Sequence, residues 1–235
     1  MTDQRYSTWF IVVVAFFLTT LIVSNIIAVK LVTIFGYAVP AGIIIFPISY
    51  IFGDILTEVY GYAKARRVIW LGFGCNLFAV VAIWVGGLLP AAPFWTAGEF
   101  GDPASAQQAY MAILGFTPRL LAASFVAYLF GEFLNSFVLA KLKLRTAGRL
   151  LWLRTVASTL AGQLADSGVF ILIAFGGRLP SSVLGQLALT QWLFKSAYEA
   201  AVTPLTYAVV NFLKRVDGVD YYDRETNFNP LALAE

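Results

Sequence analysis

Six ionisable side chains interrupt stretches that are otherwise apolar: Asp54 and Glu58 in GDILTEVYG, Glu132 in AYLFGEFLNS, Asp166 in AGQLADSGVF, and Lys195 with Glu199 in WLFKSAYEA. An ionised group at mid-bilayer costs roughly 2.5 to 3.5 kcal/mol on insertion scales. Helical spacing gathers these groups into stripes. Tyr50, Asp54 and Glu58 form an i, i+4, i+8 line; Tyr128, Glu132 and Asn135 or Ser136 form another. Thr159, Gln163, Asp166 and Phe170 make a third, and Gln191, Lys195 and Glu199 a fourth. Such faces must turn toward other helices or a water-filled cavity, because lipid offers no hydrogen-bond partner.

Carboxylates accept hydrogen bonds, amides donate and accept, and aromatic rings stack on flat rings. The solute that matches this set is planar and rich in N–H donors. A guanine-like heterocycle fits, since its ring N–H and exocyclic amine can both donate to one carboxylate; many cations and polar amines fit equally well. Each residue also has a structural reading. Glu58, close to the basic boundary, can pair with Arg66 or Arg67, and Lys195 with Glu199, at i and i+4, can neutralise each other. Asn25, Asn76, Asn135 and Gln163 can serve as interhelical hydrogen-bonding groups. Asp54, Glu132 and Asp166 have no basic neighbour in sequence, which points to a functional role.

The elements that position these stripes follow from composition. The chain has 235 residues, 60% hydrophobic and 12% charged, with a mean hydropathy of +0.78; this is an integral membrane protein. A bilayer core of about 30 Å takes roughly 20 apolar residues per helical span. Six stretches qualify: Trp9 to Thr33, Val39 to Tyr60, Val68 to Leu89, Leu120 to Ala140, Val156 to Phe175 and Leu187 to Phe212. The first is too long, and lacks a small-residue cleavage site, to be a signal peptide. The expected fold is all-α, one six-helix domain over 1–235 with a polar tail from about residue 214.

Twelve of the 16 basic residues lie on one side of that layout: Arg5; Lys64, Arg66 and Arg67; Lys141, Lys143, Arg145, Arg149 and Arg154; Lys214, Arg215 and Arg224. Lys30, Arg119 and Arg178 fall on the other. The positive-inside rule makes the rich side cytoplasmic, with both termini there. This bias accounts for a pI of about 9.0, so no nucleic-acid partner is implied. Trp9, Trp70, Trp152 and Trp84 sit where interfacial belts would place them. The longest connection, Pro90 to Arg119, is external and divides the chain into halves of three helices. An inverted 3+3 pseudo-repeat follows as one reading, with Ser24–Asn25 against Asn135–Ser136 and Asp54 against Asp166.

What is missing also restricts the chemistry. With no histidine, zinc-protease HExxH sites, Ser/His and Cys/His pairs and histidine-ligated di-iron bundles are excluded. Cys75 stands alone, so there is no disulfide framework, and no cofactor is implied. Carboxylates by themselves could bind only a hard ion such as magnesium, which keeps a metal-dependent membrane enzyme as a remote alternative. No GxxxxGK[ST] phosphate loop is present.

The segments SNIIAVKL, FPISYIFGDILTEVYGYAKARRVIW, ASFVAYLFGEFLNSFVLAKLK, STLAGQLADSGVF, FKSAYEAAVTPLTYAVVNFLKR and DYYDRETNFNP resemble the queuosine precursor transporter family, also known as the vitamin uptake transporter family. The resemblance covers residues 20 to 230 and is most specific from Asp54 to Arg67. It implies a six-helix inner-membrane protein importing 7-cyano-7-deazaguanine or its aminomethyl counterpart for transfer-RNA modification. The family's acidic and amide positions correspond to Asn25, Asp54, Glu58, Glu132, Asn135, Asp166, Lys195 and Glu199. Queuine or queuosine import is an alternative, as is a vitamin-binding subunit of an energy-coupling-factor transporter. The helix-1 alanine pair of the latter is not evident, since Ala15 is followed by Thr19; a self-contained carrier is the expectation. In that reading Asp54 and Glu132 or Asp166 hold the N–H edge while Tyr50 or Tyr128 stacks. Pro47, Gly53, Gly61, Gly131 and Pro204 supply helix breaks. The partners are then a small solute and the bilayer, with room for a homo-oligomer.

Overall fold

Long apolar runs without turn residues fold as helices, and the ends of those helices are written in their caps. The computed structural model describes residues 6–34, 37–96, 98–115 and 118–232; Arg5 lies outside them. Helix α1 (Thr8–Ile27) starts at Ser7, whose hydroxyl accepts the Phe10 N–H at 2.9 Å. Strands β1 (Leu31–Ile34) and β2 (Tyr37–Pro40) form an antiparallel hairpin pairing Leu31 with Pro40 and Ile34 with Tyr37. A 3₁₀ turn (Ala41–Ile44), α2 (Phe46–Ile55) and a π-helical segment (Leu56–Tyr60) follow as one nearly continuous rod. Then come α3 (Tyr62–Leu88), α4 (Pro103–Leu114), α5 (Pro118–Arg145), α6 (Leu151–Phe175) and α7 (Ser181–Asp217).

Five helical stretches among the described residues are long and apolar enough to cross a membrane: Thr8–Ile27, Ala41–Tyr60, Tyr62–Leu88, Pro103–Arg145 and Leu151–Phe175. The sixth expected span lies in α7, which is not among them because Gln191, Lys195, Glu199, Thr203 and Thr206 dilute its apolar character. The hairpin is a departure from the all-α expectation. Leu31, Val32, Thr33 and Ile34 are mostly β-branched, and Pro40 stops a helix from starting upstream of it. The helix of the first expected span therefore ends at Ile27 rather than Thr33.

The connection from Pro90 to Arg119 also holds a helix that span-counting passes over. Asp102 caps α4 by accepting the Ala104 and Ser105 N–H groups at 3.0 and 2.9 Å, with Pro103 at the first helical position. The Ser105 hydroxyl and amide hold the Asp102 carboxyl below its ordinary range. On the same side Arg119 donates to the Ile173 and Gly176 carbonyls at 2.6 and 2.5 Å, satisfying the C-terminus of α6.

The rod from Ala41 to Tyr60 is the most enclosed element; Tyr50, Ile51 and every residue from Gly53 to Tyr60 are buried. α1 and α3 pack against it with Phe17, Leu21, Ile55, Val59, Ala65 and Ile69 at the apolar core. α5 runs along α6 through a glycine seam: a Cβ on Gly162 would lie 2.7 Å from the Asn135 Cβ and 2.9 Å from the Gly131 carbonyl. Such close approach is how small residues bring membrane helices together.

Both ends of the described chain meet on one face. The Ser7 hydroxyl and the Tyr60 hydroxyl donate to the same Asp217 oxygen at 2.5 and 2.6 Å. Beyond α7 the tail folds back across this face. The Tyr221 N–H donates to Val59 O at 3.1 Å, Arg66 donates to the Asn227 and Asn229 carbonyls, and the Trp70 indole donates to Pro230 O. Asp223 receives the Tyr62 N–H on both oxygens, at 3.0 and 3.1 Å, and so caps α3. Burial pushes the Asp223 carboxyl up against the pull of that bond. Gly61 permits the crossing: its φ is +88°, and any side chain there would run into the Tyr221 ring.

Candidate functional site

The polar stripes converge between α2, α5, α6 and α7. Asn135 Nδ2 donates to Asp54 Oδ1 at 2.7 Å. Glu199 accepts the Thr159 hydroxyl on Oε1 and faces Asp54 from α7. Glu132 is within electrostatic reach of Asp54 and Asp166, and the Tyr50 hydroxyl within that of Asp166, Glu132 and Glu199. Two glycines make this possible. A Cβ on Gly53 would sit 2.9 Å from Glu132 Oε2, and one on Gly131 would occupy the place of the Tyr50 hydroxyl.

What distinguishes this tier is unused hydrogen-bonding capacity. Both Glu132 oxygens, both Gln163 amide atoms and the Tyr50 hydroxyl are buried with no partner among the described residues, and Asp54 and Glu199 turn their remaining capacity on each other. Tyr50, Glu132 and Gln163 are wholly inaccessible. Leaving one buried polar atom unmade costs about 1–3 kcal/mol, more where the group is charged. A cluster of them is therefore a site waiting for donors and acceptors that the protein does not provide.

Above the tier lies a chamber of about 110 Å³ with Asn25, Phe46, Tyr128, Asp166, Phe170 and Lys195 in its wall. Lys195 Nζ contacts Asp166 Oδ2 at 2.5 Å and stands 4.3 Å from the centre of the Phe46 ring. Lys195 thus pairs across helices with Asp166, not with its helical neighbour Glu199 as the spacing suggested. Asn25 is held by Leu21 O at 3.1 Å and by the Ser124 hydroxyl at 3.2 Å. The Tyr128 hydroxyl donates to Ile69 O at 2.9 Å, fixing that ring to α3. The chamber shares Asn25, Pro40, Ser124 and Phe170 with a wider cavity of about 510 Å³, which reaches Gly115, Leu120, Phe175 and Leu187 at the face away from the termini.

Glu58 stands apart. It is wholly buried and accepts Arg154 Nη2 and Lys214 Nζ on Oε1, each at 2.7 Å, with Lys143 Nζ at 3.6 Å. Neither cavity includes it, and its partners come from α5, α6 and α7 instead of the nearby Arg66 and Arg67. Sequence reasoning passed over Phe46, although it extends the Tyr50–Asp54 stripe one turn toward the N-terminus. Among the described residues, no group of three or more His, Cys, Asp and Glu side chains is placed to hold a metal ion.

Several membrane-length helices around a buried polar chamber, with a passage to one face, define a multi-pass membrane transporter. Over residues 40–209 the sequence matches the family described as "Putative vitamin uptake transporter", and the chain belongs to that family. It is 32% identical over 189 residues to the "Probable queuosine precursor transporter" of Bacillus subtilis (strain 168), covering 79% of this chain and 77% of that one. It is 30% identical over 196 residues to the "Queuosine precursor transporter" of Escherichia coli (strain K12), covering 82% and 81%. No solved structure matches it.

Proposed function

We propose that this chain carries queuosine precursors, 7-cyano-7-deazaguanine or 7-aminomethyl-7-deazaguanine, inward across the cytoplasmic membrane. The observation that carries the reading is the tier of buried carboxylate and amide atoms without protein partners, set beside a chamber that opens to one face. A deazaguanine offers what that tier lacks: an N–H edge for Asp54, Glu132 or Asp166, a carbonyl for the Gln163 amide, and a flat face for Phe46 or Tyr50. Asn25, Tyr128, Asn135, Lys195 and Glu199 complete the proposed site by holding these groups in place.

Size supports a two-stage approach. The inner chamber, about 110 Å³, is smaller than the ~150 Å³ cavity that holds one benzene ring. A two-ring heterocycle fits the wider cavity as it stands and advances only as the Lys195–Asp166 pair yields. We read α7 as the sixth span and the basic face as cytoplasmic, with both termini inside, since Ser7 and Asp217 meet there. Asp54 on the second span and Asp166 on the fifth flank one tier, as a 3+3 repeat would place them. The domain is then a single self-contained carrier.

Thermal unfolding of the detergent-purified protein tests the substrate class. A ligand at a hundredfold its Kd adds about 2.7 kcal/mol of stability. A raised Tm is expected with the deazaguanines and not with guanine, biotin or riboflavin. A shift with a vitamin alone overturns the assignment, and a shift with queuine alone moves it to the free modified base.

A further inference from the structure

We propose that Glu58 is the closing residue of a gate on the basic face, strapped by the C-terminal tail, and takes no part in holding ligand. The inference rests on the carrier reading, because a carrier must open on both faces in turn. In this structure the chamber beside the acidic tier and the wider cavity it joins lead to the face away from the termini. Toward the basic face the way is shut in two layers. Thr57 and Ser136, both wholly buried, join their hydroxyls at 3.1 Å below the acidic tier. Beneath them sits Glu58 with its three cations.

The composition of that second layer suits a part that opens. Glu58 is on the π-helical segment, Lys143 on α5, Arg154 on α6 and Lys214 on α7, so one carboxylate ties four elements together. The tail adds the fifth: Asp220 accepts Lys143 at 2.6 Å and Lys214 at 2.9 Å, while Lys143 also donates to Tyr221 O at 2.7 Å. The cluster grades outward, from wholly buried Glu58 and Arg154 to side-chain exposures of 20% for Lys214 and 42% for Asp220. Ion pairs at such a boundary exchange partners for water when elements part, whereas charges in a dry core are stranded. A π-helical turn within a rod is a recurrent mark of a working segment. Glu58 and Asp54 are four residues apart, so movement at the gate reaches the ligand tier through one helical turn.

The experiment places a reporter thiol behind Glu58, on its inner side. In a Cys75→Ser background, Ser136→Cys is reacted with a water-soluble maleimide in the full-length purified protein. Slow labelling is expected in the parent. Glu58→Gln and Asp220→Asn are each expected to speed it by about tenfold or more, the signature of raised local opening. Both are expected to keep the Tm shift produced by 7-aminomethyl-7-deazaguanine. Should Glu58→Gln not fold, Asp220→Asn, at a partly exposed position, carries the same test. Unchanged labelling in the folded variants overturns the proposal. So does a Glu58→Gln protein that stays protected yet loses the ligand shift, since that would return Glu58 to the binding site. If no deazaguanine shifts the parent, the substrate reading fails while the labelling rates still decide the gate.

Discussion

Asp54 and Glu199 meet side chain to side chain in the ligand tier, two carboxyls joined by one hydrogen bond. A substrate N–H that displaces this contact satisfies both, which makes Asp54 the most direct test of the site. Asp54→Asn preserves shape but turns one acceptor into a donor. Hydrogen bonds to charged groups contribute about 1.5–3 kcal/mol, so ligand affinity is expected to fall roughly ten- to a hundredfold with Tm of the free protein little changed. Titration calorimetry or ligand-dependent melting would check it, and undiminished affinity would remove Asp54 from the site. Lys195 and Asp166 allow a second test at this scale. Breaking a buried pair on one side costs about 3–5 kcal/mol because the other charge is stranded. Lys195→Met is expected to lower Tm markedly, and Lys195→Met with Asp166→Asn to recover most of the loss; a non-additive double-mutant cycle is the measurement.

At the scale of elements, the glycine seam between α5 and α6 decides where the polar residues sit. Gly162→Ala would push a methyl against Asn135 and the Gly131 carbonyl. Overpacking of this kind costs about 1–3 kcal/mol, and the displaced residue is the one that holds Asp54. Lower Tm together with weaker ligand binding is expected; lower Tm with intact binding would show that the seam gives way elsewhere. The helical stripes were legible in the sequence because carboxylates in apolar runs are conspicuous and helical spacing fixes their faces. Partners across helices were not legible. Lys195 could be matched by spacing only to Glu199, while its actual partner comes from α6. The hairpin and α4 were also missed, since span-counting asks only for apolar length. The Asp102–Pro103 cap was nevertheless present to be read.

For the whole molecule, the distribution of charge carries the most information. Arg154, Lys143 and Lys214 gather at one face with Asp217 and Ser7. If that face is cytoplasmic, epitopes fused before Ser7 and after α7 should both bind antibody only in permeabilised cells; binding at either in intact cells would reverse the orientation. The basic loops predict this layout from sequence, because positive charge is costly to move across a bilayer. They could not show that Lys143, Arg154 and Lys214 meet at one residue, since these partners of Glu58 lie 85, 96 and 156 residues away from it.

The order in which a ribosome delivers this chain adds a temporal side to the tail's crossing. Lys214, Asp220, Tyr221 and Asp223 are made after every helix they fasten. While they are still within the ribosome, Glu58 has Arg154 and Lys143 but lacks Lys214, and the first turn of α3 has no cap. The basic face is therefore sealed only after α1 to α7 have been made, and nascent chains arrested before Gly218 would be the most exposed there to quality-control proteolysis.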